Sequence, residues 1–85
     1  MLSQASNLEV HAVADGYIVY EPRRDRVHYL NKTAAFIFEL CDGNHDTDDI
    51  IAQVAKAYDL QPPRRDEVRS ALEALLKEGL VKSSK

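Results

Sequence analysis

Three histidines and one cysteine are the residues of this 85-residue sequence whose side chains most readily bind metals or act as nucleophiles. His11, His28, His45 and Cys41 lack the paired spacing that the ligands of structural zinc sites show. Cys41 falls in the last turn of a predicted apolar helix, where burial would raise the pKa of its thiol. We therefore expect no metal site, no cofactor and no catalytic cysteine.

An acidic run at Asp46–Asp49, with the sequence DTDD, could suggest calcium binding. It lacks the glycine and the distal glutamate of a calcium loop. It also lies at the start of a predicted helix, where the helix dipole stabilises carboxylates. The sequence also contains no glycine-rich phosphate loop and no Gly-x-Ser-x-Gly motif. These observations predict a protein that is not an enzyme.

The composition is that of a folded domain, with 45% hydrophobic and 29% charged residues. Residues 1–85 are predicted to form one domain with frayed ends at 1–6 and 82–85. The net charge of −3 disfavours binding to nucleic acid or to an anionic membrane. The lone cysteine, the lack of a secretory signal and the lack of a long apolar run predict a cytoplasmic protein that does not cross a membrane.

Strands are predicted in the first third of the chain and helices in the rest. Alternating and β-branched residues predict strands at Leu8–Ala14, Tyr17–Glu21 and Arg26–Leu30, with a turn at Pro22 between the last two. Three helices follow. The first is capped by Asn31 and stopped by Gly43, the second runs from a Thr47 cap to about Asp59, and the third runs from about Arg64 to Glu78 before Gly79, after the break at Gln61–Pro63. The expected fold is α+β, with a three-stranded antiparallel sheet beside three helices.

Strand Arg26–Leu30 lies at a sheet edge if the strand order follows the chain, and the third helix carries more leucines than a small core needs. An open edge of this kind can accept a strand from a partner. Three alternatives remain. The leucines could all be core; a homodimer could form through the edge; or helices two and three could bind DNA as a helix-turn-helix, with contacts from Arg64, Arg65, Arg69 and Lys77.

The segments YIVYEPRRDRVHYLNKTAAFIFELCDGNHDTDDIIAQVAKAYD and VRSALEALLKEGLV resemble the PqqD-like family, which includes the pyrroloquinoline quinone biosynthesis D proteins and the recognition elements for ribosomally made, modified peptides. The similarity covers Gly16 to Val81. Its marks are the hairpin turn with Glu-Pro, the Leu30-Asn31 pair, the Asp42-Gly43 pair and the terminal LLKEGLV. Asp25 stands where many relatives have glycine.

This resemblance implies a winged-helix-like fold and a non-catalytic peptide chaperone. The leader of a precursor peptide would add as a strand to the third strand and contact the third helix, for delivery to a separate modifying enzyme such as a radical SAM enzyme, a peptidase or a cyclase. The protein would be a monomer or a weak homodimer, and the alternative function is a winged-helix DNA-binding or transcriptional accessory protein. The implied peptide site comprises Arg26, Val27, His28, Tyr29, Leu30, Arg65, Val68, Arg69, Leu72, Leu75 and Leu76. The sequence leaves open the precursor, the pathway and the face of the edge strand that meets the ligand.

Overall fold

Two small antiparallel sheets and three helices make up residues 1–58 and 65–83, the part of the chain that this computed structural model describes. In chain order the elements are β1 (Leu2–Gln4), β2 (Glu9–Val13), β3 (Gly16–Glu21), β4 (Arg26–Asn31), α1 (Lys32–Leu40), β5 (Asp42–His45), α2 (Thr47–Tyr58), α3 (Arg65–Lys77) and β6 (Val81–Ser83). The predicted α+β class is confirmed, while the winged-helix-like arrangement stays a prediction.

The first sheet is a meander in which β3 pairs with β2 on one side and with β4 on the other. These are the three predicted strands, each found within one residue of its expected bounds. At the start of β3, Gly16 has a φ of 153°, and a Cβ at this position would collide with the carbonyl oxygen of Leu30. A glycine is therefore needed for β3 and β4 to approach each other at this end.

A short 3₁₀ turn at Pro22–Arg24 joins β3 to β4, as the proline at its start predicts. Asp25 follows with a φ of 50°, in the left-handed region that most residues avoid. The hydroxyl of Tyr20 donates a hydrogen bond of 2.8 Å to the Asp25 carboxylate. This hydrogen bond helps an aspartate to occupy a position where glycine would be easier to accommodate.

The helix ends follow the predicted signals with two exceptions. Gly43 does not stop α1 as predicted, because α1 ends at Leu40 with Cys41 as its C-cap and Gly43 lies within β5. The Asn31 side chain accepts a hydrogen bond of 2.8 Å from the Ala34 amide, which confirms the predicted cap of α1. The predicted Thr47 cap of α2 is wrong, because the Asp49 amide donates instead to the Asp46 carboxylate at 2.8 Å. Gly79 ends α3 with a φ of 78°, as expected. The predicted break at Gln61–Pro63, with Asp59 and Arg64 on either side, lies outside the described residues.

A second sheet, with strand order β5-β1-β6, brings together the two ends of the chain and the α1–α2 connection. The expectation of frayed ends at 1–6 and 82–85 did not anticipate this sheet, because β1 occupies its centre and Leu2 is only 3% exposed. Its strands are three or four residues long and show no alternating pattern, so their pairing depends on contacts that are distant in sequence.

The core lies between the two sheets and the three helices. Helix α1 is its central element, because α1 packs against α2, α3, β3 and β4. Ile37 and Phe38 of α1 have no exposed surface, and α3 adds Val68, Leu72 and Leu75 to the same apolar cluster. Burial of this apolar surface provides the main favourable free energy of folding and fixes the position of β4 relative to α3.

Candidate functional site

Strand β4 forms one edge of its sheet, since among the described residues it pairs with β3 alone. Its outer row of backbone N–H and C=O groups can therefore accept another strand. β2 forms the other edge of the same sheet. The edge position that the sequence predicted for Arg26–Leu30 is thus confirmed by the strand order.

The two faces of β4 differ in their surroundings. Leu30 is 5% exposed and belongs to the core cluster, and His28, two residues earlier, has a side chain that is 13% exposed. Val27 and Tyr29 point to the opposite face, where they are 66% and 53% exposed. Arg26, His28 and Leu30 therefore face the helices, whereas Val27 and Tyr29 face solvent.

A charged cluster joins the beginning of β4 to the end of α3. The Arg24 guanidinium donates to the Glu21 carboxylate at 2.8 and 3.0 Å and to the carbonyl oxygen of Glu78 at 2.6 Å. The carboxylate of Glu78 lies 3.7 Å from Arg26 and 3.9 Å from His28. The hydrogen bond from Arg24 is the main cause of a lowered pKa for the Glu21 carboxyl. These contacts hold the end of α3 against the β4 strand.

Three of the α3 residues that the family resemblance implied to contact the peptide are buried in the core. Val68, Leu72 and Leu75 are 2%, 1% and 3% exposed, because this stripe of α3 packs against α1 and α2. Leu76 is half-buried. Ala71 and Ala74 lie on the same side of α3 as Glu78, whose carboxylate is 3.7 Å from Arg26 of β4.

Two further predicted site residues, Arg69 and Leu76, lie on the side of α3 away from Glu78. The guanidinium of Arg69 lies 4.0 Å from the carboxylate of Asp48 at the start of α2, so this arginine is directed towards α2. Leu76 follows Arg69 by seven residues and therefore occupies the same side of the helix. Arg65 is the first residue of α3. Of the eleven predicted residues, five lie on β4 and six on α3, where Val68, Leu72 and Leu75 are buried, and a role of these residues in peptide binding stays a prediction.

Sequence reasoning missed two residues on the outer face of the sheet. Ile18 and Tyr20 of β3 lie directly opposite Tyr29 and Val27 of β4, and both are half-buried. The alternation of YIVYE could have identified them, since every second residue of a strand shares a face. Together, Ile18, Tyr20, Val27 and Tyr29 form an apolar surface that we call the outer ladder.

A cavity of about 370 Å³ opens between the β2–β3 hairpin and α1, away from β4. Aromatic rings contribute to its walls, including Phe36 and Tyr58, whose centroids are 5.9 Å apart in an edge-to-face arrangement. Tyr17 also contributes, and its hydrogen bond with Glu39 raises the pKa of its phenol. The cavity is a separate feature, because none of the β4 residues line it.

Residues 1–58 and 65–83 bring no set of metal-binding side chains together, and their one cysteine is buried. No three His, Cys, Asp or Glu side chains in these ranges come close enough together to hold a metal ion. The Cys41 thiol is buried and donates to the carbonyl oxygen of Ile37 at 3.2 Å, and burial raises its pKa to about 11. None of the described helices has both the length and the apolar character needed to span a bilayer.

Comparison with known proteins adds to this geometry. The family described as Coenzyme PQQ synthesis protein D (PqqD) matches residues 16–81. The chain belongs to the PqqD family. A relative, the PqqA binding protein of Methylococcus capsulatus (strain Bath), is 32% identical over 81 residues, which cover 95% of this chain and 84% of the relative. The predicted family is therefore confirmed.

Two solved structures resemble this PqqD-family chain closely in fold. TbiB1, in complex with the TbiA(beta) leader peptide, gives a TM-score of 0.79 at 14% identity and 98% coverage of both chains. A lasso peptide synthetase B1, complexed with the leader peptide, gives a TM-score of 0.77 at 17% identity, covering 96% of this chain and 98% of that chain. At these identities the comparison establishes a shared fold.

Proposed function

We propose that this PqqD-family chain is a non-catalytic, cytoplasmic recognition module that binds the leader of a ribosomally made precursor peptide and presents it to a separate modifying enzyme. The observation that carries the proposal is the unpaired edge of β4 beside the end of α3. A guest strand there would satisfy the free backbone groups of β4, and its side chains would alternate between the α3 side and the outer face of the sheet.

The relatives support a peptide as the guest. The relative that shares 32% of its residues with this chain is named a PqqA binding protein, and both structural neighbours are complexes with leader peptides. Precursors of a quinone cofactor, a lasso peptide or another modified peptide all remain candidates. The modifying enzyme is proposed to be a radical SAM enzyme, a peptidase or a cyclase.

Within the proposed site, β4 residues Arg26–Leu30 would supply the backbone pairing. We assign Val68, Leu72 and Leu75 a supporting part, because their burial holds α3 in position beside β4. A few anchors must offset the ordering of a flexible peptide, so we expect micromolar or tighter binding, about −8 kcal/mol.

Hydrogen exchange can test strand addition without knowledge of the natural precursor. Peptides of about 12 residues, long enough for a strand and its flanks, are selected from a random displayed library on the immobilised full chain. With a selected peptide bound, we expect slower exchange for those β4 amides that β3 leaves free, and unchanged exchange for β2, the other edge of the same sheet.

Two results would contradict this function. One is the absence of any selected peptide that protects β4. The other is tight binding of random duplex DNA with a steep salt dependence, which would favour the alternative of a DNA-binding protein.

A further inference from the structure

The outer ladder continues directly to the edge where the proposed guest strand would lie. Val27 and Tyr29 are 66% and 53% exposed on the edge strand itself, and Tyr20 and Ile18 are their partners on β3. Edge strands are usually protected from unwanted pairing by charged residues or proline on their exposed surface. Here the solvent-facing side of the edge carries a valine and a tyrosine instead.

Two hydrogen bonds hold the aromatic rings of the outer ladder in place. The Tyr29 hydroxyl donates to the carbonyl oxygen of Asp15 at 3.2 Å, and the Tyr20 hydroxyl donates to the Asp25 carboxylate at 2.8 Å. A ring that is fixed before binding loses little rotational freedom when a ligand packs against it. The outer ladder therefore presents a preformed apolar surface.

The inner side of β4 offers a contrasting environment to a guest strand. Arg26 and His28 lie there among the carboxylates of Glu21 and Glu78. The large apolar side chains of the neighbouring stripe of α3 are buried in the core, with Leu72 only 1% exposed. Apolar side chains of a guest would thus find more accessible apolar partners on the outer face than on the inner one.

We propose that the outer ladder determines which peptides this chain selects. Residues directly opposite each other in paired strands point to the same face, so guest residues opposite Val27 and Tyr29 would lie on the outer ladder, two positions apart in the guest. The substrate class is an extended peptide with β-branched or aromatic residues at positions i and i+2, and with small or polar residues between them. This inference rests on the proposed function and names the substrate class of the same site.

The test begins with the sequences of the library peptides selected on the full chain. We expect β-branched and aromatic residues to be enriched at alternate positions. A second peptide of identical composition, in which this pattern is moved by one residue relative to the flanking sequence, should bind about tenfold more weakly, because its apolar residues would face Arg26 and His28 in the original register.

Variants of the protein complete the test. Val27→Thr and Tyr29→Thr keep a residue suited to strands, and each should raise the dissociation constant of a selected peptide about two- to fivefold, with about tenfold for the double variant. Val10→Thr, the same substitution at a 39% exposed position on the other edge strand, is the matched control and should leave binding unchanged. Urea unfolding confirms that each variant is folded.

The outcomes separate this inference from the proposed function. If selected peptides protect β4 but both threonine variants bind them as the wild type does, the outer ladder has no part in selection and the inference is overturned while strand addition stands. If no selected peptide protects β4, both fall.

Discussion

Replacement of Leu72 by alanine distinguishes a core residue from a binding residue. The family resemblance implied that Leu72 contacts the peptide, whereas the structure shows it 1% exposed within the core cluster. If Leu72 acts as a core residue, its substitution should lower the stability of the domain and leave the peptide affinity of the folded molecules nearly unchanged.

The expected loss of stability follows from the burial of Leu72. Truncation of a fully buried leucine to alanine costs about 2–5 kcal/mol, because apolar contacts are lost and a cavity remains. A domain of 85 residues has a total stability of about 4–13 kcal/mol, so this single change removes a large part of it. Leu76→Ala, four residues along the same helix but half-buried, should cost about 1–2 kcal/mol and serves as the graded control.

Urea unfolding followed by circular dichroism measures the free energy of unfolding of both variants, and isothermal titration with a library-selected peptide measures affinity under conditions where each variant is folded. We expect a lower unfolding midpoint for Leu72→Ala and a dissociation constant within about twofold of the wild type. The opposite result, an unchanged midpoint with peptide binding lost, would show that Leu72 contacts the peptide and that its burial in the core has been misread.

Three further predictions, at Leu2, Asp25 and His45, test other parts of the structure. If β1 is the centre of a sheet, Leu2→Ala should lower the free energy of unfolding by about 2–4 kcal/mol, and the control Ser3→Ala by about 0.5 kcal/mol or less. Equal small effects of both substitutions in urea unfolding would instead indicate a frayed terminus. Asp25→Ala should lower the stability by about 1–2 kcal/mol, because it removes the hydrogen bond with Tyr20 at a position with left-handed backbone. In thermal unfolding, Asp25→Gly should recover most of this lost stability. An alanine variant as stable as the glycine variant would contradict the reasoning. The His45 ring lies 2.9 Å from Asp42, which raises the pKa of His45, while the Asn44 amide and His45 lower the pKa of Asp42. The contribution of His45 to folding stability is complete below about pH 6.5 and is lost as the pH rises through the raised pKa of His45. The contribution of Asp42 to stability is present above about pH 4 and is lost as the pH falls through its lowered pKa. The stability difference between wild type and His45→Gln should therefore be larger at pH 5.5 than at pH 8, and the reverse order in urea unfolding would refute this assignment.

Sequence patterns predicted those strands and helix ends that depend on residues close together along the chain. The strands of the first sheet show alternation, and their connections are short, so their order follows the chain. The Asn31 cap and the Gly79 stop depend on hydrogen bonds within one helical turn, and both were predicted. The cap of α2 was placed one residue too late, because Asp46 and Thr47 are both good capping residues and only the backbone conformation distinguishes them.

The second sheet and the residues of the site on α3 could not be predicted in the same way. The partners of Leu2 are His45 and Ser83, which lie far away along the chain, and no local pattern marks such a pairing. Helical spacing identified Val68, Leu72 and Leu75 as one apolar stripe, but a stripe of this kind fits a core and a groove equally well. In the structure α1 and α2 bury these three residues, so the stripe belongs to the core.

The sequence by itself determined the family, the α+β class and the edge strand Arg26–Leu30, because motifs, periodicity and short connections are local properties of the chain. Only the tertiary structure decided which face of that strand meets solvent. A strand exposes alternate residues to its two sides, and the packing of the helices against Leu30 directs Val27 and Tyr29 outwards.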